Sequence, residues 1–390
     1  MTASESARIV AVLQGYDLGG SVPSACRLQL EALAPHYPCL LITDAGAAPQ
    51  EAPCPVLRLR PIQVRWLRRF AHVPQQALFI AAVAWHALRC LRQQPPHLLI
   101  FHSHPPTALL SPLLHRVLRC RVLMVMHGDI SDRPAGTYDP RLTWWYRIHT
   151  PAAYRRTDAV LALSPYMAQL AIKGGAGADQ VHLVPNGVDA AEIGLGATPE
   201  PLDPGSCNLL FIGRLEHNKG IDLLLEAFCQ IAGLLPQLSL TCIGSADART
   251  GLAPLQQSIA AAGLEARVQW LPPQPRQQLG AFYRQAAIVV VPSRSETQST
   301  VVMEAMAAGR AVVASVTGGN PMLVAEGSTG LLFRPGDAAD LARCLQQALQ
   351  SPERLRAMGL AGHERQRQHF SRQASQEALL RCIAELLSCR

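Results

Sequence analysis

The chain has 390 residues, 49% of them hydrophobic and only 16% charged, with 5% aromatic and a formal net charge of +7. That much apolar material fills two packed domains and excludes a disordered chain. So few rings leave little to stack on single-stranded bases, and nucleic acid is not expected as a partner.

The polar start "MTASESAR" leads straight into the strand-like run "RIVAVLQ", with no signal-peptide pattern. "CLLIT", "HLLIFHS", "RVLMVMHG", "AVLALS" and "VHLVPNG" follow as further buried strands, with helical patterns such as "QLEALAP" between them. The most apolar helical window, "QQALFIAAVAWHALRCLRQQ", is broken by His86 and Arg89 before it reaches the ~20 positions that span a bilayer. From Ala52 to Gly128 there is no Asp or Glu, whereas ten Arg occur, five of them within Arg58–Arg69. Such a stretch is either a solvated basic face or a surface that docks on anionic headgroups or an anionic substrate. The eleven Cys form no C-x-x-C pair, which fits reduced thiols in the cytoplasm.

A second series begins after the Pro/Gly-rich segment "AAEIGLGATPEPLDPGSC": "NLLFIGR", "LSLTCIGS", "RVQWLPP", "AIVVVPS" and "AVVASV", alternating with "GIDLLLEAFCQIAGLL" and "DLARCLQQALQ". Strand–helix alternation at this spacing predicts parallel sheets covered on both faces. Two doubly wound domains are therefore expected: residues 1–188, a linker over 189–206, and residues 207–370. Helix 371–390 is expected to pack back toward the first domain. Ligands of such folds bind beyond the carboxyl ends of the strands, here in a cleft between the domains.

What ends the strands points to an anionic ligand. Gly19 and Gly20 follow the first strand and allow close backbone approach. Neither G-x-G-x-x-G nor a P-loop occurs. "FIGRLEHNKG" places Gly213, Arg214 and Lys219 between a strand end and the helix that Lys219 is expected to open, a favourable setting for phosphate. Lys219 is one of only two lysines, with Lys173. Taken alone, Arg214 and Lys219 read as pairing with Glu216 or solvent. In "VPSRSETQSTVVMEAMAAGR" Glu296 lies in a polar loop, and Glu304 lies eight positions later among Val, Met and Ala. A carboxylate in an apolar wall is costly unless something engages it.

Taken together, the Gly19–Gly20 loop, "MHGD" (126–129), "VPNGVD" (184–189), "GRLEHNKG" (213–220), "SETQSTVVMEAMAAG" (295–309) and "AEGSTGLLFRPGD" (325–337) resemble a retaining GT-B glycosyltransferase of family 4 over essentially the whole length. The resemblance implies an α/β GT-B fold, two Rossmann-like domains facing an interdomain cleft. It implies transfer of a hexose from a nucleotide sugar, a UDP-sugar foremost, to a cell-envelope glycan or lipid-linked acceptor. It gives catalytic roles to His127, Arg214, Lys219 and Glu296. Gly19, Gly20, Asn186, Gly213, Thr297, Gln298, Ser299 and Glu304 become substrate-binding, with Glu296 on the donor sugar, Glu304 on the ribose and the 297–299 backbone facing the diphosphate. His127 would lie beside the sugar and acceptor. No cofactor and no metal site are expected. No Asp-x-Asp is present to hold a metal at the departing diphosphate, so positive potential must come from the chain. One cation at ~4 Å supplies about 4 kcal/mol at an intermediate dielectric, against barrier reductions of ~8 kcal/mol or more. Arg214, Lys219, a helix amino terminus and the Gly19–Gly20 backbone would have to act together.

The chain departs from the family pattern at Thr297–Gln298–Ser299, where Gly-Phe-Gly is more usual. It departs again at Met322, where Glu is common, and at Pro272, where Gly is usual, which blurs UDP against GDP. A GT-B nucleotide-sugar epimerase and a catalytically degenerate GT-B binding domain are the alternatives. The expected location is cytoplasmic, with peripheral attachment to the inner membrane face through the Arg58–Arg69 region as a further expectation.

Overall fold

The computed structural model describes residues 7–14, 21–44, 50–59, 72–86, 89, 91–92, 94–128, 140–203, 205–246 and 251–388. The chain divides into two compact units, Met1–Pro185 with Gln376–Arg390, and Asn186–Ser375.

The first unit carries a seven-stranded parallel sheet in the order β3-β2-β1-β4-β5-β6-β7. Its strands are β1 (Ile9–Val12), β2 (Cys39–Asp44), β3 (Val56–Leu59), β4 (Leu98–Phe101), β5 (Arg121–Met126), β6 (Ala159–Ala162) and β7 (Val181–Leu183). Its helices are α1 (Ser21–Leu33), α2 (His72–His86), α3 (His104–Leu118), α4 (Pro140–Arg155) and α5 (Pro165–Lys173). The central strands are apolar on both faces because both are covered. Val10, Val12, Leu99, Phe101 and Val122 pack with α2 and α3, and Met124, Met126, Val160 and Ala162 with α4 and α5. The alternate residues Ile9, Ala11, Leu98, Ile100, Leu123 and Val125 pack with α1 and with the last helix, α13 (Arg372–Ser388). That helix presents Leu379, Cys382, Ile383 and Leu386, the three-and-four spacing of one helical face.

The second unit carries a six-stranded parallel sheet, β10-β9-β8-β11-β12-β13. Its strands are β8 (Asn208–Ile212), β9 (Ser239–Ile243), β10 (Val268–Leu271), β11 (Ile288–Val291), β12 (Ala311–Ser315) and β13 (Gly330–Phe333). The helices are α6 (Ile221–Ala232), α7 (Ala253–Ala261), α8 (Leu279–Gln285), α9 (Thr300–Ala307), α10 (Asn320–Leu323), α11 (Ala338–Leu349) and α12 (Pro352–His369). One face of the sheet packs on α6, α11 and α12, the other on α8 and α9.

Three sequence readings change. Strands β3 ("VLRL") and β13 ("GLLF") are additional, each only four residues long and one of them opened by Gly. Lys219 does not open α6. It ends a 3-10 turn, His217–Lys219, and Gly220 in the left-handed region (φ 72°) separates that turn from the helix. Segment 189–206 is not featureless: Asp189 caps a 3-10 turn, Ala190–Ile193, whose Ile193 is fully buried in the second unit.

Candidate active site

The second unit assembles its polar groups where the strands end. β8 runs into Gly213, whose N–H donates to the Ile243 carbonyl at 3.0 Å. The following turn is fixed from two sides. A Cβ on Gly220 would stand 2.0 Å from the Pro292 carbonyl oxygen, so only glycine lets the turn approach the end of β11. Arg294 donates to the Asn218 side of the same turn through its backbone N–H (2.9 Å to the Asn218 carbonyl) and grips Asp222 with both guanidinium nitrogens at 2.7 Å. Burial would push the Asp222 carboxyl up, but the hydrogen bonds and charge of Arg294 outweigh it and hold Asp222 below the usual range.

This frame delivers Lys219 to Glu296. Lys219 Nζ lies 2.8 Å from Glu296 Oε2, which also accepts from Ser293 Oγ at 3.1 Å. Both side chains are mostly buried, so each charge is partnered where water is scarce. Gly318 seals the loop from behind: its φ is +54°, and a Cβ there would stand 1.4 Å from the Glu296 carbonyl oxygen. Arg214 sits apart from this cluster. It pairs with Glu216 at 2.9 Å and its side chain is 65% exposed. Of the two cations, Lys219 meets the predicted carboxylate Glu296, while the Arg214 guanidinium is paired with Glu216.

The loop after Glu296 leads into α9, capped by Ser299, whose Oγ accepts from the Val302 N–H at 3.4 Å. Among the described residues the N–H groups of Gln298 and Ser299 have no hydrogen-bond partner, and they stand at that helix amino terminus. Gln298 is turned inward. Its Oε1 accepts from the Asn186 N–H at 2.9 Å, so Gln298 and Asn186 are brought together as a strut. The side chain of Gln298 is thus committed to the Asn186 backbone, which leaves its own N–H as the group it can offer a ligand. Thr297, before Gln298 in the loop, is half-buried.

Glu304 is 2% exposed, inside the apolar wall the sequence foretold. Oε2 accepts from the fully buried Tyr283 hydroxyl at 2.7 Å. Oε1 lies 2.8 Å from an Arg276 guanidinium nitrogen but outside hydrogen-bonding alignment, which leaves that oxygen sheltered and without a directed donor. Burial pushes the carboxyl up, against the pull of Arg276 and Tyr283. Burial, then the Glu304 charge, pushes the Tyr283 phenol well up.

In the first unit His127 follows β5 and stacks on His102, ring centroids 5.1 Å apart and planes 16° apart, with His102 Nδ1 and His127 Nε2 at 2.8 Å. One ring donates and the other accepts, so the accepting ring must be neutral at that nitrogen. Burial, reinforced by His104, holds His127 down to about 4. Burial, reinforced by His127, holds His102 well below the ordinary value. Gly19, Gly20 and residues 60–69 of the basic stretch lie outside the described residues. Sequence reasoning missed His102, Arg276, Tyr283 and Ser293. "HSH" closing the run "HLLIF" was a usable signal, as was a Ser three positions before Glu296. Arg276 and Tyr283 carry no local pattern, because tertiary folding brings them to Glu304.

Sucrose-phosphate synthase from Thermosynechococcus elongatus superposes on the chain with a TM-score of 0.80 at 23% identity, covering 98% of this chain and 100% of that one. Anabaena HepE in complex with UDP does so at 0.75 and 20% identity, covering 97% and 100%. These likenesses, with the two parallel sheets, define the fold class: GT-B, two Rossmann-like α/β domains. The family description "Glycosyltransferase Family 4" matches residues 25–192, and "Glycosyl transferases group 1" matches residues 199–365. The chain belongs to the GT-B glycosyltransferases of family 4. Similar curated relatives include the D-inositol 3-phosphate glycosyltransferases of Segniliparus rotundus (36% identical over 195 residues, 47% of this chain and 42% of that protein) and Nocardia farcinica (36% over 200 residues, 48% and 43%). The chain spans somewhat under half the length of these curated relatives.

Proposed function

We propose that the chain is a retaining hexosyltransferase that moves a hexose from a UDP-sugar to a cell-envelope glycan or lipid-linked acceptor. The observation that carries this reading is the Lys219–Glu296–Ser293 cluster beside the open N–H groups of Gln298 and Ser299. A cation and two free N–H donors at a helix amino terminus suit a diphosphate. The adjoining carboxylate suits sugar hydroxyls, and the sheltered Oε1 of Glu304 suits the ribose. Before a donor arrives, the Lys219–Glu296 contact keeps both charges paired. Solved HepE complexes contain UDP and UDP-glucose, which supports a uridine donor.

In the reaction the bond from the anomeric carbon to the β-phosphate oxygen breaks, and the acceptor oxygen bonds to that carbon on the same face. The acceptor proton passes to a phosphate oxygen, giving a glycoside and a nucleoside diphosphate. Lys219, the N–H groups of Gln298 and Ser299, and Arg214 turned from Glu216 stabilise the charge that develops on the phosphate. His127, neutral at physiological pH, offers one hydrogen-bonding nitrogen to the sugar or acceptor. The chain supplies its own cations to the leaving group, so turnover is expected to survive EDTA. The test is a panel of UDP- and GDP-sugars followed by calorimetry and mass spectrometry. A UDP-sugar should bind, and Lys219→Ala should lower kcat by on the order of a hundredfold with the fold intact. Absence of binding and turnover across the panel, or unchanged turnover in the variant, refutes the proposal.

A further inference from the structure

Helices α2, α3, α4 and α5 cover one face of the first unit's sheet, and the first three pack on one another. Two properties set this layer apart. None of the four helices contains a single Asp or Glu. Among their described side chains large apolar groups stand exposed: Trp85 is 64% exposed, Trp144 61%, Ile148 49% and Leu113 39%. Of the eleven large hydrophobic side chains exposed among the described residues, seven belong to these helices. On α3 the outward stripe is Leu109, Pro112, Leu113 and then Arg116, spaced three and four apart. On α4 it is Trp144, Arg147 and Ile148. Arg116 and Arg147 are exposed and have no ion-pair partner among the described residues.

Contiguous exposed apolar surface marks a contact face. Charge decides what covers it. A second copy of the chain would set the same cations against one another across a two-fold axis, with no acid on these helices to pair them. A layer of anionic headgroups meets the guanidiniums with opposite charge everywhere and takes Trp and Leu into its upper acyl region. We propose that the outer face of α2, α3 and α4 docks on an anionic lipid bilayer, with Trp85, Leu113, Trp144 and Ile148 inserted and Arg116 and Arg147 on the headgroups. None of these residues belongs to the Arg58–Arg69 stretch that composition pointed to.

The test uses the full chain with phosphatidylcholine vesicles, with and without phosphatidylglycerol, in the absence of any nucleotide sugar. Failure here therefore leaves the transferase reading untouched, and failure of that reading leaves this one standing. The chain should sediment with phosphatidylglycerol vesicles, and brominated acyl chains should quench its tryptophan fluorescence. The pair Trp85→Ser with Trp144→Ser should abolish most of that quenching. Arg116→Gln and Arg147→Gln should each lower the partition coefficient about fivefold, the effect of about 1 kcal/mol per cation near the surface. Leu234→Ser, at a residue 68% exposed in the second unit, should change nothing. No binding to phosphatidylglycerol vesicles at low salt overturns the proposal, as does binding that both charge variants leave unchanged. So does a dimer, seen by sedimentation equilibrium without vesicles, that Trp144→Ser dissolves. The charge variants decide the matter should the tryptophan variants fail to fold.

Discussion

The His102–His127 pair has a stability consequence whose sign follows from burial. Both imidazoles are held below the ordinary value of about 6.5, His127 to about 4. Between those values the unfolded chain binds protons that the folded chain refuses, so stability rises with pH across that window and falls as pH drops through it. The contribution is fully present above about 6.5 and reaches at most ~3 kcal/mol for His127. Thermal melts from pH 7 to pH 4.5 should show a falling midpoint for the first unit, and His127→Gln should flatten that slope. An equal slope in the variant would show that other groups carry it. A second residue prediction concerns Glu304. Tyr283→Phe removes the 2.7 Å hydrogen bond to Oε2 while keeping the ring, and leaves a buried carboxylate with one off-line cation. The expected loss is about 1–3 kcal/mol in urea unfolding. A value near zero would mean Arg276 alone satisfies the carboxylate.

At the scale of elements, the connections shape the site more than the strands do. Gly318 follows β12 and presses against the Glu296 carbonyl in a left-handed conformation that a side chain cannot share. Gly318→Ala should displace the Glu296 loop and weaken UDP binding by on the order of tenfold to a hundredfold in calorimetry. Gly327→Ala has a similar backbone angle, φ +74°, but open space around it, and should leave binding intact. Equal effects would assign the loss to backbone strain rather than to the loop. This level was also where the sequence was hardest to read. Apolar runs such as "IVVV" and "AVVAS" declared buried parallel strands because their period and length allow little else. Glu304 declared itself by an ionised group amid Val, Met and Ala. Gly220 looked like part of a helix start, since nothing local shows that Pro292 lies against it. The inward turn of the Gln298 side chain onto Asn186 carried no local signal either, since the two lie 112 positions apart. In each case the deciding contact is made by a residue whose approach only the folded chain determines.

At the scale of the whole molecule, the chain leaves the first unit at Pro185 and returns to it at Gln376, so the first unit is completed only by the last fifteen residues. The start of α13 belongs to the second unit, where Arg372 pairs with Glu192 at 3.0 Å and with Asp189 at 3.6 Å. Its later turns place Leu379, Cys382, Ile383 and Leu386 in the core beneath β1, β4 and β5. Each such side chain contributes about 1.5–3 kcal/mol by burial, and a domain's net stability is only ~5–15 kcal/mol. Removing residues 376–390 should therefore unfold the first unit while the second, with its own sheet and cores, persists. Hydrogen exchange should show protection lost over β1, β4 and β5 and retained over β8, β11 and β12. The milder Ile383→Ala, at a fully buried site, should cost about 2–5 kcal/mol in the first unit's transition alone. If truncation left both sets of strands protected, α13 would be a surface appendage, and the first unit would have to be complete before the chain ever enters the second.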